Sequence, residues 1–358
     1  MTNHQRDIAS AQLPIYIIGA GGIVNTAHLP AYMLGGFYVR GICDIDPDKA
    51  QATAERFAIK EVFASPEELL KQLPANAIID IAVPGPALIP LLEQMPDGSA
   101  VLLQKPMGED LDAAKKILSI CKEKKLNAAV NFQLRYAPYI LEMKRMMAEG
   151  SLGEINDIEV NVNVYTPWHL WDFLMASPRV EILYHSIHYI DLVRHILGNP
   201  KSVYAKSTKH PSMPALASVR SNIIMDYGDM TRANILTNHC HNYGTPKQQS
   251  YIKFEGTKGA VLINFGALIN YPRGEADNFE YVFLEEGKEP QWQEKKIEGS
   301  WFPHAFIGSM EQLMLSVAGI IEKPDNTVED CIHTMACMEA AYVSCEKGGV
   351  KPDELFNF

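Results

Sequence analysis

Two rhythms of apolar residues divide this chain. Over roughly the first 130 positions short apolar runs alternate with amphipathic segments; beyond them apolar and polar residues alternate singly. The run PIYIIG at 14–19 ends in glycine, as a buried strand feeding a tight turn does. A helix is predicted from about Thr26, and FYVRGICD at 37–44 reads as a second strand. Asp46-Pro47 then opens a helix: the aspartate caps free N–H groups, and the proline sits where no N–H is needed. Ser65-Pro66-Glu67-Glu68 repeats that start signal. Apolar runs at 77–83, 100–103 and 127–130 alternate with helices near 87–95 and 109–124. Such alternation predicts a parallel sheet covered on both faces.

The rhythm breaks at Gly150-Ser151-Leu152-Gly153. INDIEVNVNVY at 155–165 alternates along its length, which predicts a strand with one face buried and the other toward solvent or a partner. Further strands are predicted at 219–226, 231–238, 250–255, 260–264 and 279–285, and helices at 185–197, 305–321 and 328–346. The fold class is α/β: an N-terminal Rossmann-type doubly wound parallel sheet, then an α+β domain with a large, mainly antiparallel sheet. The domains are placed at 12–133 and 134–358. The boundary can fall anywhere from about 125 to 153, because a helix at 136–149 suits either half.

At 358 residues the chain exceeds one ordinary core, which supports that division. No stretch approaches the roughly 20 uninterrupted apolar residues of a membrane span. The opening MTNHQRDIASAQ is polar, lacks the basic-then-apolar order of a secretion signal, and is expected to be a frayed tail. Both observations point to the cytoplasm. With 32 basic and 43 acidic residues the net charge is −11, which repels nucleic acid phosphates and acidic membranes. The basic run KEKK at 122–125 reads as a solvated helix end. Six cysteines without CxxC spacing read as buried free thiols in a reducing compartment.

The turn after the first strand, Gly19-Ala20-Gly21-Gly22-Ile23-Val24, carries the first candidate chemistry. Gly19 permits the turn, and Gly21 lets backbone N–H groups approach a pyrophosphate at the next helix's N-terminus. The sixth position of the full fingerprint, glycine or alanine, is Val24 here. Strand before, helix after, and Asp44 ending the next strand 22 residues beyond Gly22 supply the context that a bare glycine pattern lacks. Asp44 is placed on the adenosine ribose hydroxyls. No Arg or Lys directly follows it to offset a 2′-phosphate, which favours NAD over NADP. The last strand of the row runs into Gln104-Lys105-Pro106, so Lys105 falls where ligands of doubly wound sheets sit.

Three motifs in order, GAGGIVNTAHLPAY at 19–32, QKP at 104–106 and HSIHYIDLVRHILGNP at 185–200, resemble the Gfo/Idh/MocA oxidoreductases. The resemblance covers nearly the whole chain. It implies an NAD(P)-dependent dehydrogenase in which the lysine, here Lys105, contacts nicotinamide and substrate hydroxyl, with a bond to Pro106 that is often cis. Its neighbour Gln104 stands where the family has glutamate. The family's catalytic histidine is matched by His188, but the acid usual four positions earlier is Tyr184 here. The family's TPN-x-x-H is replaced by a segment starting Val83-Pro84 that has no histidine. NFQLRYAP at 131–138 also resembles the family; it implies Asn131 near the nicotinamide, with Arg135 either lining the cleft or bracing the domain junction. Gly19, Gly21, Gly22, Ile23, Asp44, Val83, Pro84, Gln104, Lys105 and Asn131 are thus the cofactor candidates.

The chemistry agrees with the resemblance. Oxidising a carbinol needs a hydride acceptor and a base; a free lysine titrates near 10.4, too high unless burial and a cationic nicotinamide depress it. His188 is the rival base, with an ordinary value near 6.5. Trp168 and Trp171, three residues apart beside His169, offer flat faces for a sugar ring, or else core anchors. Arg179 and Glu181 are sugar-binding candidates or an exposed ion pair. A helix from 185 would put His185 and His188 on one face. Neither HxxH nor His239-Cys240-His241 has the companions of a metal site, so no metal is expected.

The reading is an NAD-dependent dehydrogenase of a secondary hydroxyl in a sugar, inositol or polyol. The alternatives are a redox-assisted glycosidase or lyase that retains its NAD, and an idle NAD-binding sensor. The family resemblance further implies a homodimer or homotetramer through the open sheet.

Overall fold

A computed structural model of the chain describes residues 13–352 and Leu355, so the polar opening segment lies outside the described residues. The chain divides into two compact units.

The first unit comprises the residues up to Arg145 together with Ile297–Met335. Its six parallel strands are β1 (Ile15–Ile18), β2 (Val39–Cys43), β3 (Glu61–Phe63), β4 (Ile78–Ile81), β5 (Ala100–Leu103) and β6 (Asn127–Val130), in the order β3-β2-β1-β4-β5-β6. The order reverses between β1 and β4, where ligands of such sheets bind. Helices α1 (Leu29–Gly35), α2 (Pro47–Phe57), α3 (Pro66–Lys71), α4 (Gly85–Gln94) and α5 (Leu111–Glu123) link the strands, and α6 (Pro138–Ala148) follows them. The predicted start signals act as caps. The Asp46 carboxylate accepts from Asp48 N and Lys49 N, and Ser65 Oγ accepts from Glu68 N at 3.2 Å.

The contiguous split at 133/134 is not what forms. Helix α8 (Ala305–Val317) buries Phe306, Met310, Leu313 and Met314 in one core with Ile15, Ile17, Ile78 and Leu102 of the parallel sheet. Each such side chain stabilises the fold by about 1.5–3 kcal/mol, which returns the 297–335 segment to the first unit. The returning chain also blunts the sheet's edge: Val130 N donates to Asn326 O at 2.8 Å, and Asn326 Nδ2 donates to Val130 O at 2.9 Å.

The second unit, Met146–Lys296 and the residues from Ala336 onward, holds an eight-stranded sheet. Its strands are β7 (Ile155–Asn163), β8 (Ser202–Thr208), β9 (Arg220–Asp226), β10 (Arg232–Asn238), β11 (Gln249–Gly256), β12 (Gly259–Asn264), β13 (Asn278–Phe283) and β14 (Gln293–Glu294). The order is β14-β13-β12-β11-β7-β10-β9-β8, antiparallel except where β10 runs parallel to β7. Ile158, Val160, Val162, Ile223, Met225, Ile235, Ile252 and Phe254 face inward. The other face carries Tyr204, Ile224 and Leu236, 58%, 52% and 42% exposed, on three successive strands. Two helices belong here: α7 (Ile187–Leu197) and the greater part of α9 (Val328–Lys347).

Among the described residues no helix is long and apolar enough to cross a membrane. All six cysteines are free and five are buried.

Candidate functional site

The carboxyl ends of β1, β4, β5 and β6 lie along one edge of the parallel sheet, and the cofactor candidates occupy that edge. Gly19 follows β1 at φ 111°, where a Cβ would sit 2.4 Å from Ala82 O; no other residue fits this turn. A Cβ on Gly21 or Gly22 would meet nothing within 4 Å. The turn therefore leaves open space beside Gly21 and Gly22, which suits the close approach of a pyrophosphate. Half-buried Ile23 leads into a π turn, Val24–His28, before α1 begins. Sequence periodicity does not reveal such turns, which concentrate at functional positions.

Asp44 does more than await a ribose. Its Oδ2 accepts from Ala20 N at 2.6 Å and its Oδ1 from Asp46 N at 2.8 Å, so the carboxylate ties the glycine turn to the end of β2. A carboxylate has roughly four acceptor directions, so two remain for hydroxyls. Val83 is half-buried after β4, with Pro84 exposed beside it. Gln104 Oε1 accepts from Lys105 N at 3.1 Å, and the Lys105–Pro106 bond is cis. Burial lowers the Lys105 ammonium from 10.5 to about 8. A lysine tuned this way can hold or release a proton near neutrality.

Two further residues of this unit were not foreseen as chemistry. His28, in the π turn, and Asp80, in the middle of β4, are fully buried and lie 2.7 Å apart. A charged residue inside the apolar run IIDIAV was the available signal, because a buried carboxylate demands partners. Asn131, just past β6, is also buried and approaches His28.

Arg135, expected in the cleft or at the domain junction, braces the first unit. Its guanidinium is fully buried and donates to Asp325 O at 2.7 Å and Asp330 Oδ2 at 2.8 Å, all within the first unit. Sequence carried no sign that the 325–331 segment returns to this strand end.

In the second unit the histidine helix begins with another π turn, Ile182–Ser186, ahead of α7. His185 therefore sits in π register, not one face of an α-helix with His188 as predicted. His185 is half-buried, and His188 is buried in the first turn of α7. The His185 ring lies 4.4 Å from His239 and 4.9 Å, edge-on, from Trp168.

Trp168 is 1% exposed and packs with Leu174, Val180, Leu216 and Val219, so it is a core anchor and not a sugar platform. Trp171 keeps a partly exposed face and leans on Tyr271 at 6.1 Å. Tyr184 packs against Phe173 at 5.7 Å and on the Trp168 cluster.

Arg179 and Glu181, expected to bind sugar or to form an exposed ion pair, take separate partners. Arg179 forks onto Glu339 with two 2.7 Å bonds and stacks over Tyr342, an ion pair of the fold. Glu181 is fully buried, not paired with Arg179: Ser186 Oγ donates to its Oε1 at 2.7 Å, and His239 Nε2 lies 3.5 Å away. Burial pushes this carboxyl upward, but His239 and the Ser221 and Ser186 hydroxyls outweigh it and hold it below the ordinary value. The strand-end cluster around His239 thus supports His185; Thr166 Oγ1 holds the other ring nitrogen, Nδ1, at 2.9 Å.

Known proteins place this geometry. A family model described as "Oxidoreductase family, NAD-binding Rossmann fold" matches residues 13–132, and one for the GFO/IDH/MocA C-terminal domain matches residues 140–262. The chain is 30% identical to inositol 2-dehydrogenase of Rubrobacter xylanophilus over 148 residues, 40% of this chain and 42% of that one. With D-apiose dehydrogenase of Paraburkholderia graminis it shares 20% identity over 337 residues, 93% of this chain and 87% of the relative. In fold it matches an Agrobacterium radiobacter oxidoreductase solved with NAD+, L-tartaric acid and magnesium. That match has a TM-score of 0.78 at 19% identity and covers 96% of this chain and all of the other. With a glycine cradle and a strand-end lysine in one unit, and both units matched in turn, the chain belongs to the Gfo/Idh/MocA family of NAD-binding oxidoreductases.

Proposed function

We propose that this protein is an NAD-dependent dehydrogenase that oxidises a secondary hydroxyl of a sugar, inositol or related polyol. The observation that carries the reading is Lys105: an amine at the end of β5 on the nucleotide-binding unit, lowered to about 8 by burial. Bound nicotinamide supplies the hydride acceptor. The turn shaped by Gly19 holds the pyrophosphate through the backbone N–H groups of Gly21 and Gly22, and Asp44 binds the ribose hydroxyls with its remaining lone pairs. The Asp44 carboxylate repels a 2′-phosphate, which supports NAD as the partner.

Lys105 accepts the carbinol proton on its Nζ, or His188 accepts it on its ring; in the reductive direction the same group returns it. His185 and Trp171 are assigned to the sugar. An imidazole binds hydroxyls, and an indole face receives the ring's C–H side. The names of the inositol and apiose relatives support a polyol or sugar as substrate. Six free cysteines support a reducing cytoplasm as its place. The apolar positions on the open face of the second sheet support pairing with another copy of the chain.

The test is a panel of inositols, aldoses and polyols with NAD+, followed by absorbance of NADH. Accumulating NADH on one of them supports the reading. Turnover without accumulation would replace it with the transient oxidation of a lyase or glycosidase, and binding of NAD+ with no turnover on any would replace it with a sensor.

A further inference from the structure

His28, Asp80, Tyr32 and Asn131 form a buried chain of polar groups that hydride transfer does not itself require. Asp80 Oδ2 accepts from Tyr32 Oη and lies 2.7 Å from each of Tyr32 Oη and His28 Nδ1. Burial first, and the Asp80 charge second, raise the Tyr32 hydroxyl well above its ordinary value, so it stays a donor. His28 must then present Nδ1–H to the same carboxylate oxygen. Its other nitrogen, Nε2, lies 3.4 Å from Asn131 Nδ2, and with Nδ1 carrying the hydrogen it can take the amide's N–H as an acceptor. Phe306 closes the ring's side at 5.0 Å, and Tyr32 meets it edge-on at 6.1 Å.

This polarity propagates. A lone pair on His28 Nε2 demands the NH₂ end of the Asn131 amide, so Oδ1 must point away. Asn131 is 1% exposed, and its Oδ1 has no hydrogen-bond partner among the described residues. Buried acceptors in folded proteins almost always have partners, so this orphan is free to accept from a ligand donor; Asp80 Oδ1, deeper in the same group, is a second unpartnered acceptor. Its position fits one. Asn131 directly follows β6, bonded through its N to Leu103 O at 2.8 Å, and Leu103 ends the strand that leads to Lys105.

We propose that Asp80, His28 and Tyr32 are positioning residues that lock the Asn131 amide with Oδ1 outward, as the acceptor for the carboxamide N–H of a bound nicotinamide. The proposal rests on the nucleotide-binding reading above but not on the identity of the substrate. Reversing the His28 tautomer would turn the amide and offer the nicotinamide a donor where it too has a donor.

Titration calorimetry with ADP-ribose and with NAD+ separates this from a general fold role, because the two ligands differ by the nicotinamide riboside end. NAD+ is expected to bind wild type more tightly than ADP-ribose. Asn131→Ala should erase that advantage by about tenfold while ADP-ribose affinity stays within about twofold. His28→Phe should shrink it by about threefold. Since a core variant can fail to fold, the wild-type protein is also read directly by ¹⁵N NMR. His28 Nε2 should show the shift of an unprotonated ring nitrogen and respond to NAD+ but not to ADP-ribose. A protonated Nε2, or equal losses for the two ligands in Asn131→Ala, overturns the proposal and leaves the dehydrogenase reading intact. Binding of neither ligand by wild type would overturn both.

Discussion

The pH dependence of turnover decides which group takes the carbinol proton. Lys105 is lowered from the ordinary 10.5 to about 8 by burial. At pH 7 a group titrating near 8 is roughly 10% free base, whereas one at 10.5 is roughly 0.03%, a gain of roughly 300-fold in the competent form. The sign follows: the free amine is the base, so oxidation gains as the proton leaves. Log kcat/KM for NADH formation should therefore rise with unit slope up to pH about 8 and level off above it. A profile measured in the same buffers with Lys105→Met should be lower by about 10²–10⁴ and lose that rise, with ADP-ribose still bound. The reasoning fails if the inflection lies near 6.5 and survives in Lys105→Met, because His188 would then be the base. It also fails if activity climbs without a break to pH 10, since burial would then leave the amine untouched.

Other expectations test the scaffold. Gly21→Ala should leave the melting temperature of the unliganded protein unchanged, because a Cβ there meets no atom, yet weaken NAD+ at least tenfold in calorimetry. Gly19→Ala should instead destabilise the fold by about 2–4 kcal/mol in urea unfolding, from strain at φ 111° and collision with Ala82 O. Arg135→Ala should cost about 3 kcal/mol of stability by the same measurement, since it empties a fully buried site and removes the donor to Asp325 O; unchanged stability would restore it as a ligand candidate. If copies pair through the open sheet face as proposed, Ile224→Glu with Leu236→Glu should yield monomers in light scattering, and a wild type already monomeric would refute the pairing.

The distance between pattern and fold differs by element. β8 escapes prediction because it lies at the sheet edge and buries none of its residues fully, so no period-two apolar signal exists. β3 spans three residues and is too short to carry a period. Trp168 and Trp171 looked equivalent in sequence, yet one is sealed in a core and the other keeps a partly exposed face. Only the packing of Leu174, Val180, Leu216 and Val219 separates them. For Arg135, Arg179 and Glu181 sequence left ligand and structural roles open, and only their partners, 150 or more residues away for the arginines, decided between them.

What the chain order determined by itself is whatever depends on neighbours in sequence. Caps at Asp46 and Ser65, the glycine turn after β1, the parallel rhythm and the lysine at a strand end all rest on local sterics and periodicity. Tertiary structure alone decided whatever depends on long-range burial. It returned Ile297–Met335 to the first unit, committed the arginines to carboxylates, and gathered His28, Asp80 and Asn131 from three separate elements. Desolvation sets both the lysine's tuning and the cost of an unpartnered charge, and desolvation is a property of the assembled interior, which no local window of residues contains.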